Sequence, residues 1–345
     1  MTKIGPTPPV QGVVILGAGR MGRRHIKVAA GLGLPLAGIA DLRADALALA
    51  QQEGSGSAAL SQDPAGLLER MRPECVIIAT TAPSHSELTC AAAENGARYI
   101  LCEKPMATSI QECRRMIRVC HEHGAALAIN LQMPFMPQHR FAMETASSEK
   151  FGGFCSMTVV AGNFGLAMNG IHYFELFRQA SGEQPEAATA WFCDEEVPNP
   201  RGPQFRDVAG AIRVTTARQK RLYIECGADQ GHGMQTIYAG RWGVLHIDEI
   251  GGMARLNVRS AADRLLPTTR YGTPPELSIR DFSMENVDSS CALLEAVLNG
   301  RSYPSGDAGL LAVQTLVAAY VSNENDHRAV PIQGGLPEDR VFPWA

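Results

Sequence analysis

No CxxC pair occurs among the nine cysteines, which stand at positions 75, 90, 102, 113, 120, 155, 193, 226 and 291. That spacing excludes zinc knuckles and thioredoxin-type dithiol chemistry. No cluster of His, Cys, Asp and Glu has ligand spacing either, so no metal is expected. The first residues, MTKIGPTPPVQG, are polar and proline-rich and lack the apolar core of a signal peptide. With an odd cysteine count, this predicts reduced thiols and a cytoplasmic location. No stretch approaches the roughly 18 apolar residues of a membrane span. The net charge of −4 offers no basic excess, which argues against nucleic acid or a membrane surface as partner. Internal repeats and low-complexity tracts are absent as well.

What is present is ordinary globular material: 345 residues, 45% apolar and 19% charged. That length exceeds one compact core and predicts two domains. The first is organised around VVILGAGRMGRR at 13–24. Four apolar residues run into Gly17, Ala18, Gly19, Arg20, Met21 and Gly22, a strand, a tight turn and a helix start. Gly17 permits the turn, Gly19 lets a diphosphate approach the backbone, and Gly22 lets helix and strand pack closely. A second apolar run, Leu36 to Ala40, ends in Asp41, 19 residues after Gly22. An acid there accepts hydrogen bonds from ribose hydroxyls and disfavours a 2′-phosphate, so NAD is expected, with Arg43 leaving NADP possible.

Strand and helix signals alternate from 13 to 130. Strands are expected at 13–16, 36–41, 75–79, 99–102 and 125–130, with helices at 23–31, 44–52, 64–71, 86–95 and 110–123. Repeated βαβ units predict a doubly wound parallel sheet, a Rossmann domain, with its ligand crevice at the carboxyl ends of the strands. After about residue 130 the texture changes. Short alternating stretches at 155–161, 187–192, 210–216, 221–227, 234–239, 243–247 and 254–258 predict a broad, open, largely antiparallel sheet. Helices near 171–180, 287–298 and 309–323 accompany it. The fold class is therefore α/β, a Rossmann domain at 1–130 followed by an α+β domain at 131–345.

The strand 99–102 runs into Glu103, Lys104 and Pro105. A lysine at that tip can hydrogen-bond a reacting hydroxyl, and partial burial can bring it into catalytic range. The alternative is a plain ion pair with Glu103 or a surface acid. His121 and His123 suit a helix C-terminus.

GAGRMG after the first strand, Asp41, IATTAPSH at 78–85, CEKP at 102–105 and the closing stretch 293–332 together resemble the Gfo/Idh/MocA oxidoreductase family. The resemblance implies NAD(P)-dependent hydride transfer at a carbinol carbon of a sugar, nucleotide sugar or cyclitol. Carried over onto this chain, it implies that Lys104 is catalytic and that Gly17, Gly19, Arg20, Met21, Gly22, Asp41, Arg43, Thr80, His85, Glu103 and Lys104 contact the cofactor. It also matches His172 to the family's acid/base, in the stretch LAMNGIHYFE at 166–175. Four residues earlier the family carries Asp; this chain has Met168, with Asn169 beside it and Glu175 in place of a trailing Asp. A histidine can carry a hydroxyl proton near neutral pH. After Asn130 the family's arginine is missing, since the chain reads Asn-Leu-Gln-Met-Pro-Phe; Arg140 is a candidate to compensate. Asn130, Gln132, Asn169, His172, Tyr173 and Lys104 form the expected substrate set, with Arg206, Asp207, His232 and Tyr238 as further polar candidates. The expected partners are a small polyol or sugar and a second copy, as a homodimer or homotetramer. The alternatives are a non-catalytic NAD-binding sugar sensor, and a redox-assisted lyase or glycosidase with tightly held NAD.

Overall fold

The computed structural model describes residues 10–194, 198–267, 276–283 and 286–345. The polar lead-in read at the N-terminus falls, as far as residue 9, outside the described residues.

Short apolar runs broken by turn residues build the first sheet. They are β1 (Val13–Leu16), β2 (Leu36–Ala40), β3 (Ala59–Ser61), β4 (Cys75–Ile78), β5 (Tyr99–Cys102) and β6 (Ala126–Ile129). All pairings are parallel, in the order β3-β2-β1-β4-β5-β6. Every residue of β1 and β4 is buried, the signature of strands covered on both faces. The crossovers are α1 (Arg20–Gly31), α2 (Ala44–Gln52), α3 (Pro64–Met71), α4 (His85–Glu94) and α5 (Ile110–Glu122). Helix α1 starts three residues before the expected Arg23, because Gly19 is extended and its carbonyl already accepts the Arg23 N–H at 2.9 Å. Asp63 caps α3 by accepting from Gly66, with Pro64 in the first turn.

The second sheet has nine strands in the order β14-β13-β12-β11-β7-β10-β9-β8-β15. These are β7 (Phe154–Gly162), β8 (Pro185–Phe192), β9 (Gly210–Thr216), β10 (Arg221–Gly227), β11 (Gln235–Gly240), β12 (Gly243–Asp248), β13 (Met253–Val258), β14 (Glu276–Asp281) and β15 (Val330–Pro331). Among the described residues of this sheet only β7 and β10 pair in parallel. Burial alternates along β9 and β10, so one face is core and the other is not. The core face, with Met157, Val159, Val214, Leu222, Ile224 and Leu245, is fully buried. Helices α6 (Pro137–Ser147) and α7 (Ile171–Ser181) pack on this sheet, α7 against β7 and α6 against β11. On the opposite face the cross-strand register aligns Arg213, Tyr223, Thr158, Ile237, His246, Arg255 and Ile279. Trp191, Tyr223, Val244, Leu277 and Ile279 are exposed there.

Two compact units emerge, and their boundaries amend the linear division at 130/131. The first comprises residues 1–135, 285–313 and 337–345, the second 136–284 and 314–336. The physical reason lies in the first unit's core. Helix α8 (Asn286–Leu298) lays Leu293, Leu294, Val297 and Leu298 against Val13, Ile15 and Ile26 of β1 and α1. The tail follows suit, Phe342 N–H donating to the Thr108 carbonyl at 2.9 Å. Helix α9 (Gly306–Glu324) runs through the boundary at 313/314.

Three elements were not expected. Helix α6 hides in PQHRFAMETAS because its buried face carries Gln138 and His139 beside two alanines. Strand β14 alternates in sequence, ELSIRD, but has only two apolar residues and is exposed along its whole length. Strand β3 is three residues long at a sheet edge. Among the described residues no helix is long and apolar enough to cross a membrane.

Candidate active site

The glycine turn has the form its sequence demands. Gly17 sits at φ +100°, and a Cβ on it would press against the Ala79 and Thr80 backbone. A Cβ on Gly22 would collide with the Gly17 carbonyl. Beside Gly19, by contrast, a Cβ would meet nothing within 4 Å. Helix α1 has neither a side-chain cap nor an acid in its first turn. An open approach over Gly19 to uncapped helix N–H groups suits an anionic diphosphate, so these residues fit a dinucleotide. Arg20 is exposed at the head of α1 and borders a hollow of about 210 Å³ with Arg23, Arg24, Lys27, Glu53 and Val287. Met21, beside it, is half-buried.

Asp41 is fixed by backbone donors, Ala18 N–H to one oxygen at 2.7 Å and Arg43 N–H to the other at 2.9 Å. Each oxygen keeps a second lone pair, and the residue is half-exposed. The exposed Arg43 guanidinium stands 3.7 Å from Asp45. After β4, Thr80 Oγ1 accepts from Ser84 at 2.7 Å. The His85 ring is buried between the Pro105 carbonyl, 2.9 Å from Nδ1, and the Thr80 carbonyl, 3.3 Å from Nε2. It braces the loop after β4 to the loop after β5.

At the end of β5 the Glu103 side chain is 4% exposed, and Lys104 is 8% exposed. One Glu103 oxygen faces His25 Nε2 and accepts from Asn130 Nδ2, both at 2.8 Å. The other oxygen lies 3.4 Å from the Lys104 N–H. Burial pushes this carboxyl up. The hydrogen bond and charge of His25, the charge of Lys104 and the Asn130 amide outweigh burial and hold it at about 2. Glu103 and Asn130, expected on cofactor and substrate respectively, thus bond one another. The Lys104–Pro105 peptide is cis. Gln132, 6% exposed, accepts the Ser290 hydroxyl at 2.5 Å.

In the second unit a single π-type turn, Leu166–Gly170, leads into α7. Asp207 fastens it, its two oxygens accepting the Ala167 and Met168 N–H groups at 2.8 and 2.7 Å. Gly165 is required beside it, at φ +73°, where a Cβ would run into that carboxylate. An acid therefore does stand against position 168, supplied 39 residues downstream rather than by residue 168 itself. Asn169 donates to the Phe164 carbonyl at 2.6 Å. His172, in the first turn of α7, is 8% exposed. Glu175 is buried and chelated by Arg178 at 2.7 and 2.8 Å.

Tyr173 is corrected from a substrate contact to a core residue. It is fully buried, and its hydroxyl donates to Glu249 at 3.0 Å. The same carboxylate accepts from Thr236 and lies 3.5 Å from His139 Nε2. Burial pushes Glu249 up, but the His139 charge and these hydrogen bonds leave it below the usual carboxylate range. Tyr238 is likewise a core residue, fully buried with its hydroxyl 3.0 Å from His139 Nδ1. His232 is exposed in a loop with Gln230, and Arg140 is exposed on α6.

Sequence reasoning missed His25, His139, Glu249 and Ser290. For His25 a signal was there, a polar residue on the apolar face of the helix that opens at the glycine turn.

Residues 11–131 match the family model GFO_IDH_MocA, described as an oxidoreductase family with an NAD-binding Rossmann fold. Inositol 2-dehydrogenase 2 of Saccharopolyspora erythraea is 26% identical over 235 residues, 64% of this chain and 67% of that protein. Inositol 2-dehydrogenase of Serratia proteamaculans is 24% identical over 328 residues, 90% of this chain and 94% of that one. The solved structure of levoglucosan dehydrogenase with NADH superposes with a TM-score of 0.78 at 17% identity, covering 94% of this chain and 99% of that chain. Joined to a glycine turn built for a diphosphate and a lysine at the tip of β5, these likenesses show that residues 11–131 form the NAD-binding Rossmann domain of the Gfo/Idh/MocA oxidoreductase family, within a chain whose fold is that of levoglucosan dehydrogenase.

Proposed function

We propose that the chain is an NAD-dependent dehydrogenase acting on a CH–OH carbon of a sugar or cyclitol. The observation that carries this reading is the near-buried Lys104 at the carboxyl end of β5, next to a carboxylate locked onto the helix of the glycine turn. Bound nicotinamide supplies the hydride chemistry. Gly17, Gly19, Gly22 and the head of α1 hold the diphosphate, and Asp41 takes the ribose hydroxyls. Lys104 polarises the reacting oxygen and stabilises its developing negative charge. His172 takes up or returns the hydroxyl proton at its imidazole. The inositol dehydrogenases among the relatives and levoglucosan dehydrogenase among the structural neighbours support a polyhydroxylated, uncharged ring as substrate.

The same reading places NAD ahead of NADP and puts a second copy against the exposed face of the nine-stranded sheet. That face intersperses the exposed apolar residues Trp191, Tyr223, Val244 and Ile279 with Arg213 and Arg255, and exposed apolar area of this kind is often buried against another subunit.

A panel of inositols, free and anhydro sugars and nucleotide sugars, followed by nicotinamide absorbance, tests the function. Formation of free NADH with one of them supports it. Turnover of a substrate with no reduced cofactor released favours the redox-assisted lyase or glycosidase instead, and NAD-dependent sugar binding without any turnover favours the sensor.

A further inference from the structure

We propose that Glu103 and His25 are positioning residues that act through Lys104, a fixed anion and its clamp that set where the lysine stands and keep it charged. The inference rests on the reading of Lys104 as a catalytic residue.

Three observations carry it. First, Glu103 is buried without being a core ion of convenience. A neutral amide would accept the same two hydrogen bonds at far lower desolvation cost. What the carboxylate adds is charge, and the basic groups around it are His25 and Arg24 on α1 and Lys104 itself. Second, His25 is fully buried, and its Nδ1 has no partner among the described residues. Its polar contact is Glu103 alone, so the ring serves the carboxylate and not a wider network. Third, the clamp joins three elements at one point. His25 comes from α1, Glu103 follows β5, and Asn130 follows β6. The helix that receives the diphosphate and the strand tip that carries Lys104 are thereby tied through one oxygen atom.

The physics follows from burial. An ammonium at 8% exposure tends to lose its proton to water, and an adjacent carboxylate opposes that loss. Because Glu103 is held at about 2, it stays anionic throughout the neutral range. It is an anchor and never a base. Motion of α1 would move the anchor, so the lysine keeps its place relative to the glycine turn.

The chain has five lysines, at 3, 27, 104, 150 and 220, which makes a direct test practical. Lysine labelled with carbon-13 at Cε is incorporated, the Lys104 signal is identified by its loss in Lys104→Ala, and its titration is followed in the full-length protein. In Glu103→Gln the midpoint of the Lys104 titration moves to lower pH. In His25→Leu the carboxylate is released and the signal shifts or broadens, while His25→Gln, which keeps a donor, restores the parent behaviour. Turnover of the polyol chosen by the panel falls about 10–100-fold in Glu103→Gln and His25→Leu, the scale of a misplaced reacting group. The loss falls on kcat, with the alkaline limb of the pH profile moved down, and NAD affinity by fluorescence titration stays within about three-fold of the parent. An unmoved Lys104 titration with parent-like kcat in both variants overturns the proposal. Parent-like turnover in Lys104→Ala overturns instead the catalytic reading of that lysine, and the titration still decides whether Glu103 controls its charge.

Discussion

Tyr173 and Glu249 meet in the core of the second unit, phenol to carboxylate at 3.0 Å, one residue after His172. The position beside the candidate proton carrier is thus pinned through its neighbour, the hydroxyl pointing inward. Lys104 has the same kind of support from Glu103.

Tyr173→Phe removes that bond and leaves Glu249 with Thr236 and His139. Loss of a buried hydrogen bond to a charged group costs about 1.5–3 kcal/mol. The variant should unfold at lower urea concentration while kcat changes by less than about ten-fold. Abolished turnover in a fully folded Tyr173→Phe protein would return the tyrosine to the reacting centre.

Lys104→Ala and His172→Ala should each lower turnover by about 10²–10⁴-fold, the scale of a positioned acid/base or charge-stabilising group. NAD affinity should change little, since neither residue belongs to the glycine turn. Because such groups act as a unit, the double variant should be little worse than the worse single one. Multiplicative losses in steady-state assays would show that the two work independently.

Asp41 should make NAD bind more tightly than NADP, through the lone pairs its two backbone donors leave open. Asp41→Ala also frees the Ala18 and Arg43 N–H groups, so it should weaken both cofactors instead of exchanging one for the other. Fluorescence titration with each cofactor checks this, and tighter binding of NADP to the parent protein is the contrary result.

The depressed Glu103 carboxyl has a stability signature. Its folded value of about 2 lies below the unfolded value of about 4.3, so its stabilisation is complete above about 4.3 and is lost as pH falls through about 2. The stability of the parent minus that of Glu103→Gln, which has no carboxyl to titrate there, should be flat from neutral pH to about 5 and fall by up to about 3 kcal/mol as pH drops from about 4 through 2. Urea unfolding of both proteins across that range measures the gap. A gap that widens on acidification refutes the assignment.

Light scattering at micromolar concentration should show a dimer or tetramer, and Tyr223→Asp, on the exposed sheet face, should shift it toward the monomer. A monomeric parent protein overturns the assembly.

The Rossmann half was legible because its information is local. Val13–Leu16, the three glycines and Asp41 lie within 30 residues, and each obeys a steric or hydrogen-bonding rule that reads off residue type. The alternating strands of the second sheet were legible for the same reason. Strand β14 was not, although ELSIRD alternates, because the stretch is short and carries only Leu277 and Ile279 as apolar residues, both exposed at the sheet edge. The site was half legible. Lys104 and His172 stand out by type and neighbours, whereas Asp207 reaches Met168 across 39 residues and His25 reaches Glu103 across 78. Such contacts are fixed by the packing of whole elements, and no window of sequence contains both partners.

The composite first unit has a consequence for how the protein is made. Val28 on α1 meets Cys291 on α8, 263 residues later, and Leu293 and Val297 complete the cover over β1 and α1. On the ribosome, the nucleotide-binding sheet must wait with one greasy flank bare until almost the whole polypeptide has been synthesised. A gene cut at codon 131 would encode every glycine of the turn after β1 and still yield a domain that needs a chaperone or a co-expressed 285–313 segment to stay out of inclusion bodies.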